Sequence, residues 1–429
     1  MTDRIRILYI AYYFPPLGGV AAIRSLKMVK YLAEYGIDCT VLCMSPFALK
    51  YPKDKSLLKE IPQSTKVYRF PAIDLSWIYK LLYGLRMGKL VKFFSQSIFI
   101  PDQYILSRRI AKTALDRLLR IEDKLELAVI SSGPPSVLFL GLRLKSKYNM
   151  RYICDFRDEW TNNPERINSD YPHRSQTREM LWEARVLSST AGMVYLTEQM
   201  RSNFLKRYSF LAKRPFRVIP NGFDEADFSR LAVPSKPDRF TLLYTGSFYD
   251  RRQPDSLWKA IEDLVQEQKL DPMLFRVRII GKNNPAFIFG SYIDSALIRS
   301  VVQIEGFMTH SSTLTEMQAA SALLLYIPSG ANTESVITGK IFDYIRSYKP
   351  ILAIVPPNGK AAEIVLKSGL GLVSDYMDIP RIKHELLKLY TCWAEGSDID
   401  QKPDPEYIRL YSRQIQAGEL AELIREFKE

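Results

Sequence analysis

Histidine is scarce in this 429-residue chain, at three residues, and cysteine occurs four times. No histidine stands at ligand spacing from a carboxylate or a cysteine, so no metal and no other cofactor is expected. Cys39, Cys43, Cys154 and Cys392 lack the paired spacing of a zinc site, and Cys39 and Cys154 fall inside apolar, strand-like runs. They read as reduced core residues, which suits a cytoplasmic protein. No apolar run approaches the roughly 18 residues that span a bilayer. The apolar start "IRILYIAYYF" runs straight into "PPLGG" without a small-residue cleavage site, which argues against a secretory leader. A G-x-G-x-x-G fingerprint is also missing, and this disfavours nicotinamide or flavin chemistry. Neither an internal repeat nor a low-complexity tract interrupts the chain.

Acidic residues are short in one half only. Residues 1–215 hold 35 Lys and Arg against 19 Asp and Glu, whereas the remainder holds 25 against 28, so the net charge of +13 belongs to the first half. Within it, residues 50–124 carry 16 basic and 7 acidic residues, interleaved with Trp77, Tyr79, Tyr83, Phe93, Phe94 and Phe99. Such a mixture serves a nucleic acid, an anionic membrane or an anionic substrate. The stretch "LSWIYKLLYGLRMGKLVKFFSQSIFI" mixes large apolar side chains with Lys and Arg as interfacial helices do, and no nucleic-acid motif accompanies it. We expect peripheral contact with the cytoplasmic membrane face, or with a lipid, through residues 77–109, and no nucleic acid. The plainer alternative is a core-facing helix pair with solvated cations.

What is present is an alternation of strands and helices. "IRILYIAYYF", a glycine loop, "AAIRSLKMVKYLAEYG" and "CTVLCM" form a βαβ pattern, which "LELAVISSG", "PSVLFLGLRLKSKYN" and "MRYICDF" repeat. After the Pro-, Ser- and Lys-rich "LAVPSKPDR", a second series runs through "FTLLYTGSF", "FRVRIIG", "VQIEGF", "ALLLYIPS" and "PILAIV". The length exceeds one ordinary core. We therefore expect an α/β protein of two Rossmann-like domains facing across a cleft, 1–214 and 215–400, with a C-terminal helix at 401–429 packing back on the first. Ligands in such sheets sit beyond the carboxyl ends of the strands.

Several loops at those ends carry chemistry. In "TGKIFDYIRSYKPILAIV", Thr338 and Gly339 open a helix whose free N–H groups suit an anion, Lys340 adds a full charge, and Asp343 can accept hydrogen bonds from a ribose. An ordinary i,i+3 ion pair is the competing reading. "PPLGGVAAIR" places Gly18 and Gly19 where a phosphate can approach the backbone. "CDFRDEW" sets Asp155, Arg157 and Asp158 in a row, as a substrate loop or a local salt-bridge cluster. "YTGSFYDRRQP" puts Arg251 and Arg252 beyond a strand, within reach of a diphosphate or simply in solvent.

Taken in order, "YYFPPLGGVAAIRSLKMVKYLAEYG", "DFRDEW", "VIPNGFD", "LLYTGSFYDRR", "VQIEGF" and "GKIFDYIRSYKPILAI" resemble the nucleotide-sugar-dependent glycosyltransferases of family 4 over almost the whole chain. The resemblance implies the GT-B fold and a metal-independent hexosyl transfer that retains the donor's configuration, from a nucleotide sugar to a glycan or lipid-linked acceptor in cell-surface polysaccharide synthesis. Lys340 with Arg251 or Arg252 would stabilise the leaving diphosphate; Asp343 stands where the family has a ribose-binding Glu. The family's first acid falls on Ser335, with Glu334 beside it, and its Arg and Lys pair matches Ser247 and Arg251 or Arg252. Arg157 replaces a donor-sugar histidine, Phe307 of "VQIEGF" belongs to the donor side, and Asp158 is the candidate base should the enzyme invert. A nucleotide-sugar epimerase of the same fold and an inert membrane-associated binding protein are the alternatives.

Overall fold

The computed structural model describes residues 4–47, 49, 51–163, 171–229, 231, 237–248, 253–328 and 333–428. They divide into two compact units, 1–221 with 413–429, and 222–412.

The first unit holds seven strands, β1 (Ile5–Ala11), β2 (Ile37–Met44), β3 (Lys66–Phe70), β4 (Leu127–Ser131), β5 (Tyr152–Asp155), β6 (Gly192–Tyr195) and β7 (Phe216–Val218). All pair in parallel, in the order β3-β2-β1-β4-β5-β6-β7. Both faces are covered, as the unbroken apolar run of β1 requires. Leu8 and Ile10 join one core cluster, beneath the helices Arg108–Ile121, Phe139–Tyr148 and His173–Ser189. Ile7 and Tyr9 point the other way, to the helices Gly19–Glu34 and Arg413–Arg425. Each fully buried aliphatic side chain contributes about 1.5–3 kcal/mol, so the period-2 alternation fixes the register of β1 from both sides.

The second unit repeats the plan with β8 (Phe240–Thr245), β9 (Phe275–Ile280), β10 (Val302–Glu305), β11 (Ala322–Tyr326), β12 (Ile351–Ile354) and β13 (Gly371–Ser374), in the order β10-β9-β8-β11-β12-β13. In β11, Leu324 and Tyr326 enter one cluster and Leu323 and Leu325 the other. Strand order reverses between β1 and β4 in the first sheet and between β8 and β11 in the second. Such a reversal point is the usual ligand seat in doubly wound sheets.

Three expectations need adjustment. The first unit ends at Asn221 and not at 214, because β7 pairs with β6 and Ile219 is buried in the first core. Residues 401–412 stay with the second unit: Asp404 N–H donates to Ser368 O at 3.0 Å, and Ile408 is buried against Phe342 and its neighbours. Only Arg413–Glu429 returns to the first. Residues 77–109, expected to resemble interfacial helices or a core-facing helix pair, are more broken than either. Helices Ser76–Gly84 and Gly88–Phe93 are followed by a π-type turn at Phe94–Ile98 and a 3-10 turn at Gln103–Ser107. No described helix is long and apolar enough to cross a membrane.

Candidate functional site

In the second unit the site is built at the switch point between β8 and β11. Strand β8 ends at Thr245, and its turn Gly246-Ser247 is pressed against the turn that leaves β9. Gly246 N–H donates to Ile280 O at 2.8 Å, and Asn283 Nδ2 donates to Gly246 O at 2.9 Å. At Gly281, φ is +147°, and a Cβ there would collide with the carbonyl oxygen of Gly246. Only glycine brings these turns so close. Ser247 Oγ donates to Lys282 O at 2.7 Å, so its hydroxyl serves the turn itself.

Lys340 opens the helix Lys340–Arg346 and projects over β8, its Nζ 3.6 Å from the centroid of the Tyr244 ring. One turn later, Tyr344 is fully buried and ties the helix to the same strand, accepting from Thr245 N–H at 3.0 Å and meeting Thr245 Oγ1 at 3.2 Å. Burial pushes its phenol up to about 12, so it stays neutral. Lys340 and Tyr344 share a helix face, and fixing one directs the other. A Cβ on Gly246 would lie 2.7 Å from Lys340 Nζ, so the ammonium is seated directly above the glycine turn. The result is a cation held on an aromatic face beside closely approached backbone.

The remaining donor-side candidates fall around this point to different degrees. Gly339 caps the helix with αR geometry, and Thr338 Oγ1 is buried with no hydrogen-bond partner among the described residues. Asp343 lies in the helix's first turn, half-buried. Glu334 is exposed, but its backbone is close-packed: a Cβ on Gly359 would meet the Glu334 carbonyl oxygen at 3.1 Å. Ser335 lies in the same short turn, Thr333–Ser335. Phe307 follows β10, the edge strand two places from β8, and is 58% exposed. Arg251 and Arg252 lie outside the described residues.

In the first unit the switch point lies between β1 and β4. Gly18 N–H donates to Pro52 O at 2.8 Å, which ties it to the loop. Gly19 has φ +79°, with Tyr51 Oη 3.1 Å from where its Cβ would be. Tyr51 stacks on Tyr13 with centroids 4.7 Å apart, and Tyr13 Oη donates to Tyr104 Oη at 3.4 Å. Burial raises the Tyr51 phenol, and the Arg157 charge partly offsets this.

The "CDFRDEW" cluster is not a local salt-bridge row. Arg157 donates from Nε to Ser132 O at 2.7 Å and from Nη2 to Gly133 O at 3.1 Å, filling the space beside Gly133 where a Cβ would stand. Asp155 turns inward to a partner 131 residues away. Its Oδ1 lies 3.0 Å from Arg24 Nη2, with both side chains at most 3% exposed. Asp158 is exposed. Sequence reasoning missed Tyr244, Gly281, Tyr344, Arg24 and the Tyr13–Tyr51 stack. The glycines of "YTGSF", "RIIGK" and "SSGPP" were the available signal, since each ends a strand.

No known family's sequence model matches the chain, and no curated protein matches it by sequence. Solved structures do match in shape. A glycosyltransferase from Rickettsia africae ESF-5 superposes with TM-score 0.64 at 14% identity, covering 100% of this chain and 99% of that one. An α,α-trehalose-phosphate synthase (UDP-forming) from Burkholderia xenovorans gives 0.62 at 11%, with 99% and 100% covered. WaaG, a glycosyltransferase involved in lipopolysaccharide biosynthesis, gives 0.57 at 15%, with 97% and 99% covered. The two parallel-sheet α/β units have the fold of these GT-B glycosyltransferases.

Proposed function

We propose that the protein transfers a sugar from a nucleotide-sugar donor to a glycan or lipid-linked acceptor, without a metal and with retention of configuration, in cell-surface polysaccharide synthesis. The observation that carries this reading is Lys340 Nζ, held 3.6 Å from the Tyr244 ring at the switch point of the second sheet. As the bond to the sugar breaks, the leaving diphosphate gains charge, and a pre-placed cation that meets that charge lowers the barrier. Lys340 meets it in the role a bound metal takes elsewhere, and Asp343 accepts from the ribose. The solved structures named above add support through their names, each of which describes a glycosyl transfer.

Retention draws support from the first unit. An inverting enzyme needs a base opposite the leaving group. Asp155 is sequestered with Arg24, which removes one of the two candidate bases in "CDFRDEW" and leaves only the exposed Asp158. The test is release of nucleoside diphosphate by purified protein across a panel of nucleotide sugars. Release that depends on added acceptor and persists in EDTA is expected; acceptor-independent conversion of the donor would overturn the reading. In the product, the anomeric proton signal should show an α linkage from an α donor. A β linkage would return Asp158 to the position of base.

Asp343→Ala should weaken donor binding by about 1.5–3 kcal/mol, the range for hydrogen bonds to a charged group. Calorimetric titration with the cognate donor checks it, and an unchanged affinity in the folded variant removes Asp343 from the site. For the acceptor, we propose a lipid-linked molecule reached at the membrane surface through residues 77–109. Trp77, Tyr83 and Phe93 are exposed there, beside Lys80, Arg86 and Lys92.

A further inference from the structure

On the face of the first sheet covered by the helices Arg108–Ile121, Phe139–Tyr148 and His173–Ser189 lies a cavity of about 410 Å³. Its lining comes from these three helices and includes no residue of the strand-end loops described above. Five cations converge on it: Arg108 and Lys112 from the first helix, Arg143 and Lys145 from the second, and Arg185 from the third. One of them is neutralised, since Arg143 Nη2 lies 2.6 Å from Asp116 Oδ2. Among the described residues no carboxylate pairs with Arg108, Lys112 or Arg185, and Lys145 Nζ reaches only Asn149 Oδ1, at 2.9 Å. The Arg108 guanidinium is seated 4.6 Å over the Phe139 ring, and its Nε is buried with no hydrogen-bond partner among the described residues. Ser188 and Ser189 complete the rim.

Burial and the charges of Arg108 and Arg143 hold the Lys112 ammonium below its usual range, with Asp116 opposing them. Like charges gathered around a concavity repel one another until a counter-charge enters. Four unneutralised cations call for more than one negative charge, which a single carboxylate does not supply and a phosphate group does. The volume exceeds that of a phosphate and leaves room for what it is attached to.

We propose that this cavity is a binding site for a phosphate-bearing ligand, separate from the strand-end sites. The ligand is a phosphomonoester or diphosphate, carried either by a soluble molecule or by a lipid headgroup. Arg108, fixed on Phe139, supplies a planar donor pair, and Lys112, Lys145 and Arg185 supply point charges around it.

The probe is inorganic pyrophosphate, titrated calorimetrically at low salt into the full chain. Lys112→Gln with Arg185→Gln should weaken binding about tenfold or more, as loss of two charge-assisted contacts implies. Arg120→Gln with Lys124→Gln removes the same charge from exposed positions at and just beyond the far end of the first helix and should bind as wild type. A pyrophosphate component that the Lys112 and Arg185 pair weakens and that Lys340→Ala leaves unchanged belongs to the cavity, and keeps this proposal independent of the proposed function. Equal weakening by both pairs, or no pyrophosphate binding, would overturn it. A second arm uses phosphatidylcholine vesicles with and without phosphatidic acid. Binding that needs phosphatidic acid, is displaced by pyrophosphate and is lost in the Lys112 and Arg185 pair assigns the headgroup as the source. Pyrophosphate binding without vesicle binding assigns a soluble ligand.

Discussion

Replacing Lys340 by Ala should lower kcat about 10²- to 10³-fold while the donor affinity falls by less than about tenfold. The magnitude is that of removing one pre-organised donor from a developing anion. The split between the two constants follows because the diphosphate gains its extra charge only as the sugar leaves, so the ammonium interacts more strongly with the transition state than with the bound donor. Lys340→Met separates charge from packing. Its side chain still covers the Tyr244 ring, 3.6 Å below Nζ in the native protein, but carries no ammonium. Both variants should therefore lose turnover alike. Stopped assays with saturating donor give kcat, and calorimetry gives the affinity. A Met variant that retains native turnover would reduce Lys340 to a packing residue and remove it from the mechanism.

Lys340 was legible in the sequence because its signal is local: Thr-Gly-Lys before an apolar-periodic stretch marks a helix start with a cation in its first turn. Tyr244 was not, since its place beneath the ammonium depends on packing between a strand and a helix 96 residues apart, for which one sequence carries no mark. The strands themselves were easy to read where both faces are buried, as in "ILYIA" and "ALLLY", because short continuous apolar runs that lead into Pro- and Gly-bearing loops read as buried strands. The half-buried β7 was harder. Its three residues, Phe216–Val218, carry a pattern too short to assign, and this moved the domain boundary by seven residues. The tail misled for a related reason. Pro403-Asp404-Pro405 announces a break but not the side on which the chain continues, and the second core claims Ile408 before the chain crosses at Arg413. The "CDFRDEW" row shows the limit most clearly: Asp155 and Arg157 are neighbours in sequence and on opposite errands in space, one facing the buried Arg24 and the other the carbonyls of Ser132 and Gly133.

Asp155→Ala should destabilise the first unit by about 3–5 kcal/mol, the usual effect of removing one partner from a buried ion pair. Arg24 would be left 1% exposed, with its charge uncompensated. Two of its hydrogen bonds would remain, Nη1 to Pro220 O at 2.8 Å and Nη2 to Ile219 O at 3.0 Å. Those carbonyls lie just before the residue where the chain leaves the first unit, and Gln416 Nε2 donates to the next one, Asn221 O, at 3.1 Å. The pair thus joins the end of β5 to the helix Gly19–Glu34 and to the exit of the chain. Arg24→Met combined with Asp155→Leu, which removes both charges at similar volume, should recover much of the loss. Because two units unfold, the comparison belongs to amide hydrogen exchange within β5 and the Gly19–Glu34 helix, where a single global unfolding energy is not required. Asp155→Asn decides between structure and chemistry. If Asp155 only holds Arg24, loss of activity should track loss of protection, and the double variant should regain both. A folded Asp155→Asn protein with native protection and abolished turnover would make Asp155 a reacting group, and with it the case for retention would lose its support from the first unit.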